Sequence, residues 1–390
     1  MTPKASRSED VVRRLCILTT GRADWNLLAP VARAAPAAGL PVDLIVAAGH
    51  LDPDQGLTVR AIEAEGLPIA ARLDWGQGTA ATRAARVLDG MGRALADLTP
   101  DLLLLLGDRF EVLAAAQAAV LAGVPLAHLS GGDVSEGAMD DGFRHALTKL
   151  SHLHLPFHEA AARRIRQMGE PADRVHVVGN PALDVLAEAA ALDEGRLVAQ
   201  LAAPLGRRNL LVTFHPVTLA PDLGLGEFEG LLAGLEDLGP EWTLWFTAPN
   251  GDPGGEAIAA RLSTWANGRP NVRVLAALGA AFPALAARCE AVVGNSSAGL
   301  AEVPSLGVPT LDVGRRQQGR LAGPSVIRVA ARPDAVQDGL ARALALPAAA
   351  MVNPYGDGRS VPRILKVLQS APDGRALLHK RFVDGEAGHV

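Results

Sequence analysis

Leu-Leu-Leu-Leu-Leu-Gly-Asp-Arg-Phe-Glu-Val-Leu-Ala-Ala-Ala-Gln-Ala-Ala-Val-Leu-Ala-Gly-Val-Pro-Leu-Ala-His-Leu (102–129) is the stretch from which the fold is read. The five leucines are apolar at every position, as in a strand buried on both faces of a parallel sheet. Gly107-Asp108-Arg109 breaks the run, and Phe110–Leu121 then carries apolar residues at helical spacing. After Gly123 and Pro125 a second apolar run, Leu126–Leu129, follows. Strand, helix and strand in that order make one right-handed βαβ unit.

The same alternation recurs along the chain. Leu15–Thr19, Val42–Ala48, Val175–Val178, Leu210–Phe214, Leu244–Thr247, Val272–Leu275, Ala291–Val293, Thr310–Val313 and Val326–Val329 read as further buried strands. Ala80–Leu98, Phe143–Leu150 and Ala160–Met168 have helical spacing. So many strands exceed one comfortable sheet, and Val178-Gly179-Asn180-Pro181 offers a break between two similar halves. The expected fold is α/β, with two Rossmann-like domains (1–181 and 182–364) facing across a cleft. Terminal helices over 365–390 are expected to pack back on the first domain.

Composition narrows the function classes. The 390 residues fit two or three domains, and 49% apolar with 20% charged residues describes a chain with a large core. Lys and Arg number 37 against 42 Asp and Glu, a net charge of −5, which argues against a general nucleic-acid or anionic-membrane binder. Cys16 and Cys289 each lie in an apolar run, which excludes a disulfide scaffold and fits a reducing compartment. No run approaches the roughly 18 apolar residues of a membrane span. The first ten residues mix both charge signs with no apolar h-region behind them, so the expectation is a cytoplasmic protein.

Polar punctuation sits after the strand ends, where open α/β sheets bind ligands. Gly-Asn-Ser-Ser-Ala-Gly (294–299) offers two hydroxyls and backbone N–H groups at the start of a helical segment carrying Glu302. That suits a diphosphate, and a plain serine N-cap is the alternative. Neither serine has the flanking glycines of a nucleophile elbow. Thr20-Gly21-Arg22-Ala23-Asp24 reads as a phosphate and sugar clamp or as a surface Arg–Asp turn. Asp108 ends the strongest strand, as a proton-transfer carboxylate or as a helix cap. His215 ends another strand. His152, His154 and His158 lack an acidic or cysteine ligand to complete a metal geometry, so no metal is expected. Gly224–Gly230 has the wrong spacing for a dinucleotide fingerprint and no Walker A sequence occurs, so no cofactor is expected.

Taken in order, further motifs join these: Thr-Gly-Arg-Ala-Asp-Trp (20–25), Gly-Asp-Arg-Phe-Glu (107–111), Gly-Gly-Asp-Val-Ser-Glu-Gly-Ala-Met-Asp-Asp (131–141) and Arg-His-Ala-Leu-Thr-Lys-Leu-Ser-His (144–152). Val-Thr-Phe-His-Pro-Val-Thr (212–218), Gly-Arg-Arg-Gln-Gln-Gly-Arg (314–320) and Pro-Tyr-Gly-Asp-Gly (354–358) complete the series. With these motifs, from Thr19 to Leu368, the chain resembles the hydrolysing UDP-N-acetylglucosamine 2-epimerases of bacterial sialic-acid biosynthesis.

The resemblance implies a glycosyltransferase-B-type fold with the nucleotide in the second domain. It implies a UDP-linked 2-acetamido sugar as substrate, UDP-GlcNAc or a diacetamido variant, or a GDP-linked counterpart. A base removes the C2 proton, UDP leaves to give a glycal, and water adds with C2 inverted, releasing a sugar of the N-acetylmannosamine type. By motif, Arg22, His215, Ser296 and Ser297 would hold the diphosphate with Arg320 assisting, and Glu302 would accept from the ribose hydroxyls. Asp24 belongs to the Arg22 turn. Asp108 and Asp140 would handle protons with Arg144 as orienter, and Asp133 and His215 complete the catalytic candidates. A homodimer or homotetramer is expected. A glycosyltransferase of the same fold, using a sugar-nucleotide donor, is the alternative. One departure stands out. Where many relatives read His-Ile-Glu-Gly-Gly-Glu, this chain has His128-Leu129-Ser130-Gly131-Gly132-Asp133. Ser130 cannot replace a carboxylate, whereas Asp133 keeps the second acid one methylene shorter.

Overall fold

The computed structural model describes residues 14–135, 139–217, 220–249, 254–275, 278–372 and 374–384. The chain forms two compact units, one running to Asp184 and resuming at Gly358, the other spanning Val185–Asp357. Of the motifs read from sequence, residues 136–138 and Thr218 lie outside the described residues.

The first unit is a six-stranded parallel sheet of β1 (Leu15–Thr19), β2 (Val42–Ala47), β3 (Ile69–Leu73), β4 (Leu102–Leu106), β5 (Leu126–Leu129) and β6 (Leu153–Leu155), in the order β3-β2-β1-β4-β5-β6. Its helices are α1 (Arg22–Ala34), α2 (Val59–Ala64), α3 (Ala80–Leu98), α4 (Phe110–Leu121), α5 (Met139–Leu150) and α6 (Glu159–Gln167). β4 and β5 are buried at every residue, as their unbroken apolar runs require. The second unit repeats the plan. Helices α7 (Ala182–Ala190), in which the chain crosses over, and α8 (Glu194–Leu201) lead into β7 (Arg208–Thr213), α9 (Leu225–Gly234), β8 (Trp242–Thr247), α10 (Gly255–Ala266) and β9 (Val272–Leu275). Then come α11 (Phe282–Ala286), β10 (Ala291–Gly294), α12 (Ser297–Ala301), β11 (Thr310–Val313), β12 (Val326–Val329) and α13 (Pro333–Leu344).

The second sheet is ordered β12-β11-β10-β7-β8-β9, which is the order of the first read from its other edge. Each unit therefore has one point where consecutive crossovers turn in opposite directions, between β1 and β4 and between β7 and β10. Ligand crevices form at such switch points, beyond the carboxyl ends of the strands. Phe228, Phe246 and Trp265 fill the core on one face of the second sheet, and Trp245, Leu197 and Leu285 fill it on the other. Cys16 and Cys289 are free and buried. Among the described residues no helix is long and apolar enough to cross a membrane.

Two strand expectations need correction. Val175–Val178 is not a strand: only Val175 bridges to His154, although the amides of His176 and Val178 donate to His154 and Pro156. The outer strand is instead Leu153–Leu155, with buried His154 at its centre. β3 was not among the expected strands. Its alternating, half-exposed Ile-Ala-Ala-Arg-Leu sits at the sheet edge, where both faces are not covered.

The chain returns to the first unit through α14 (Ser360–Ser370) and α15 (Gly374–Leu378). Asp184 accepts hydrogen bonds from the amides of Ser360 (2.8 Å) and Val361 (2.7 Å), capping α14 from another element. Beyond α15, Lys380 Nζ donates to the Ser151 carbonyl at 2.6 Å and pairs with Glu170 at 2.9 Å. Glu170 is buried and also bound by Lys149 (2.5 Å) and His154 (2.9 Å). Burial would raise this carboxyl, but hydrogen bonds from His154, Lys149 and Lys380 overcome it and hold the pKa at about 2. Because the folded value lies below the ordinary 4.5, this stabilisation is complete above that value and disappears as pH falls toward 2. Lys380→Met should cost about 1–3 kcal/mol at neutral pH. Urea midpoints taken between pH 5 and 2 should fall less steeply for the variant than for wild type. An unchanged acid dependence would remove Lys380 from the account.

Candidate active site

At the switch point of the first unit the loop after β4 presents Gly107, Asp108 and Arg109. α5 begins at Met139, four residues earlier than its apolar spacing suggested, which places Asp140 and Asp141 in its first turn. Acidic side chains are favoured there by the helix dipole. One turn on, Arg144 is 4% exposed. Its Nε and Nη2 both donate to Asp108 Oδ2, the former at 3.0 Å. Nη1 donates to the Asp133 carbonyl at 2.9 Å and to Asp141 Oδ1 at 3.1 Å, and Nη2 also reaches Ser135 Oγ at 3.0 Å. Asp141 Oδ1 in turn accepts from the Ser135 amide at 2.6 Å. Arg144 thus ties the β4 loop, the 131–135 turn and α5 into one unit.

Desolvation, and then the Asp108 charge beside it, push Asp140 above the ordinary carboxylate range, while Arg109 and Arg144 pull it back. Arg109 pairs with Glu111 and lies in the fields of Asp24 and Asp140. Glu111 is fully buried, which pushes its carboxyl up against the pull of Arg109, and its Oε2 has no hydrogen-bond partner among the described residues. Asp24 turns inward, accepting from the Thr20 amide at 3.0 Å and from the Thr20 hydroxyl, so it closes the start of α1; Arg22 beside it is exposed. Asp133 is occupied by His158. Because His158 Nδ1 accepts from the Ala161 amide, Nε2 carries the hydrogen and donates to Asp133 Oδ1 at 2.7 Å. His128 is fully buried, donates from Nε2 to the Gly107 carbonyl at 2.7 Å, and is pushed down to about 4 by burial, so it is neutral.

In the second unit the switch point is built around a residue with no role in the sequence reading. Asn295 is fully buried; its Oδ1 accepts from the His215 amide at 2.7 Å and its Nδ2 donates to the His215 carbonyl at 2.8 Å. Its own carbonyl accepts from Arg316 (3.1 Å) and Gln317 (2.8 Å) of the 314–320 loop. Gly294 makes this approach possible. At φ +136 it packs so closely that a Cβ would lie 1.9 Å from the Thr213 carbonyl oxygen. Ser296 caps α12 by accepting from the Ala298 amide at 3.4 Å, and Ser297 opens the helix. Glu302 ends α12, and burial alone raises it to about 6. Arg320 is exposed, and its carbonyl accepts from Arg328 at 2.6 Å.

The structure therefore gathers Asp108, Asp133, Asp140 and Arg144 in the first unit, with Arg22 and Asp24 on the neighbouring turn. His215, Ser296, Ser297 and Glu302 gather in the second. Residues 33–369 match the family model described as UDP-N-acetylglucosamine 2-epimerase. The chain belongs to the UDP-N-acetylglucosamine 2-epimerase family. It is 32% identical over 323 residues to the GDP/UDP-N,N'-diacetylbacillosamine 2-epimerase (hydrolyzing) of Campylobacter jejuni, covering 81% of this chain and 84% of that one. It is 31% identical over 377 residues to the UDP-N,N'-diacetylbacillosamine 2-epimerase (hydrolyzing) of Legionella pneumophila, covering 95% and 99%. The crystal structure of the UDP-GlcNAc 2-epimerase of Neisseria meningitidis bound to UDP-GlcNAc shares the fold, with a TM-score of 0.77, 18% identity and coverage of 91% and 99%.

Within this epimerase-family site, Ser130 is held at φ +67, a left-handed conformation that is unusual for a residue other than glycine. Its amide donates to the Leu155 carbonyl at 3.2 Å. Arg109, Glu111, His158 and Asn295 were not assigned roles from sequence. Arg109, Glu111 and Asn295 carried a usable signal there, as polar residues lodged inside motifs of otherwise assigned function. Asn295→Ala should remove both side-chain hydrogen bonds that clamp the half-buried His215 backbone. It should cost about 2–4 kcal/mol in urea unfolding; a loss under half a kcal/mol would show that this clamp is replaceable.

Proposed function

We propose that this protein hydrolyses a nucleoside-diphosphate-linked 2-acetamido sugar with inversion at C2. The observation that carries the reading is the pair of carboxylates, Asp108 and Asp140, in the field of Arg144. Asp108 is anchored through two guanidinium nitrogens, while Asp140 has its proton affinity raised by desolvation and by Asp108. Two neighbouring carboxylates in unequal surroundings divide into a base and an acid. Asp108 takes the C2 proton, the C1–O bond breaks, and the electron pair of the C2–H bond closes the C1=C2 double bond as the diphosphate departs. Water then adds its hydroxyl to C1, its released proton replacing the one that Asp140 delivers to the opposite face of C2, while Asp108 gives up the abstracted proton to solvent. Ser296, Ser297, Arg22 and His215 stabilise the departing diphosphate, using hydroxyls, a helix start and positive charge. Glu302 receives the ribose hydroxyls. A homodimer or homotetramer is also inferred, which sedimentation would test, as is a cytoplasmic location, which cell fractionation would test.

In D2O the released sugar should carry deuterium at C2 and appear in equal amount with the nucleoside diphosphate, as followed by proton NMR. Product protonated at C2, or sugar nucleotide left intact, would sink the elimination route. A glycosyltransferase would release no free sugar without an acceptor. Asp108→Asn should lower kcat by about 10²–10⁴-fold with UDP affinity retained; a variant keeping half its turnover would reduce Asp108 to a structural partner of Arg144.

The preferred sugar is the diacetamido one. The two relatives from Campylobacter and Legionella are named for N,N'-diacetylbacillosamine derivatives. Ser130 also leaves more room than the glutamate of the common motif. Wild type should therefore show the higher kcat/KM on UDP-N,N'-diacetylbacillosamine, and Ser130→Glu should shift the ratio toward UDP-GlcNAc. A clear wild-type preference for UDP-GlcNAc would make the serine a neutral exchange.

A further inference from the structure

The second unit holds a cavity of about 550 Å³ lined by Glu227, Asp312, Gly314, Arg315, Gln318 and Arg328. It lies beyond the ends of β11 and β12, beside the first turn of α9. None of His215, Ser296, Ser297 or Glu302 lines it, so the chemistry proposed above leaves it unused.

Its floor is unusual. Asp312 lies inside a strand between Leu311 and Val313 and is 2% exposed. Its Oδ2 accepts from Arg328 Nε at 3.3 Å, but its Oδ1 has no hydrogen-bond partner among the described residues. A buried carboxylate oxygen left in that state is a strong acceptor waiting for a donor. Burial accordingly raises Asp312 to about 6, against the pull of Arg328.

The rim offers the opposite chemistry. Arg315 is fixed along one edge, where its Nε donates to Glu227 Oε1 at 2.8 Å and its amide to Glu227 Oε2 at 3.2 Å. Its other guanidinium edge has no partner among the described residues, and the side chain is 70% exposed. Arg328 is held by the carbonyls of Gln317 (3.3 Å) and Arg320 (2.6 Å). One end of the cavity thus needs a donor, and the other presents a planar fork that matches a carboxylate or phosphate. The volume falls in the range of small-molecule sites.

We propose that this cavity is a second binding site, separate from the sugar-nucleotide site, for a small polyhydroxylated anion whose hydroxyl donates to Asp312 Oδ1 and whose carboxylate or phosphate is held by Arg315. The inference does not depend on the reaction proposed above. It is tested by calorimetry on the full chain with UDP at saturation. Glucuronate and glucose 6-phosphate serve as probes and distinguish the two anionic groups; glucose and inorganic phosphate each supply only half of the required chemistry. At least one hydroxylated anion should bind tenfold or more tightly than either half-probe. Asp312→Leu and Arg315→Gln should each weaken that binding at least fivefold while leaving UDP affinity unchanged. Should Asp312→Leu fail to fold, the exposed Arg315→Gln carries the test alone. The proposal is overturned if no hydroxylated anion binds, if inorganic phosphate binds as tightly, if the folded variants bind like wild type, or if UDP displaces the probe.

Discussion

Arg144 is a permanent cation in a nearly dry position, and such a charge is tolerable only where oxygen atoms surround it. Asp108, Asp141, Ser135 and the carbonyl of Asp133 supply those oxygens, and they come from the loops that leave the paired strands β4 and β5 and from the first turn of α5. The guanidinium is planar and donates along several directions at once, which a lysine in its place would not do. The positions of Asp108 and Asp141 therefore follow from satisfying one buried charge. The site in the first unit is a by-product of electrostatic necessity as much as of sheet topology.

The second unit solves the same positioning problem with an amide at its centre and a guanidinium, Arg316, on the amide residue's own carbonyl. Its sheet has the same strand order, and its switch point is drawn together by the neutral amide of Asn295 and by the missing side chain of Gly294. The Asn295 amide spends both its groups on the His215 backbone, so it fixes the loop after β7 against the loop after β10. One architecture thus has a buried guanidinium at the centre of one switch point and a buried amide at the centre of the other.

The sequence conveyed some of this directly. Five leucines followed by Gly-Asp-Arg can hardly be read otherwise than as a buried strand with a functional end, and the turns after β1, β7 and β10 announced themselves in the same way. β3 escaped notice because alternation at a half-exposed edge is a weak signal. β6 was legible only as the alternation of His152 and His154 along a strand; the buried pairing of His154 with Glu170, 16 residues on, was not. The roles of Asn295, His158 and Glu111 were hidden for a related reason, although Glu111 and Asn295 stood inside recognised motifs: they act on backbone groups or on other side chains, and such partners are set by the folded arrangement. The start of α5 was hidden too, since the aspartates that open it break the apolar rhythm.

The buried Glu170 also imposes an order on synthesis. It belongs to the first unit, yet one of the two lysines that neutralise it, Lys380, follows the whole of the second unit in the chain. A nascent polypeptide emerging amino end first has made β1 to β6 and α1 to α6 long before α14, the cap from Asp184 and Lys380 leave the ribosome. During that interval the first sheet must wait with an under-compensated carboxylate and an uncovered flank beside α1, while the second unit has every residue it needs and can close on its own. The unit made first is the one finished last.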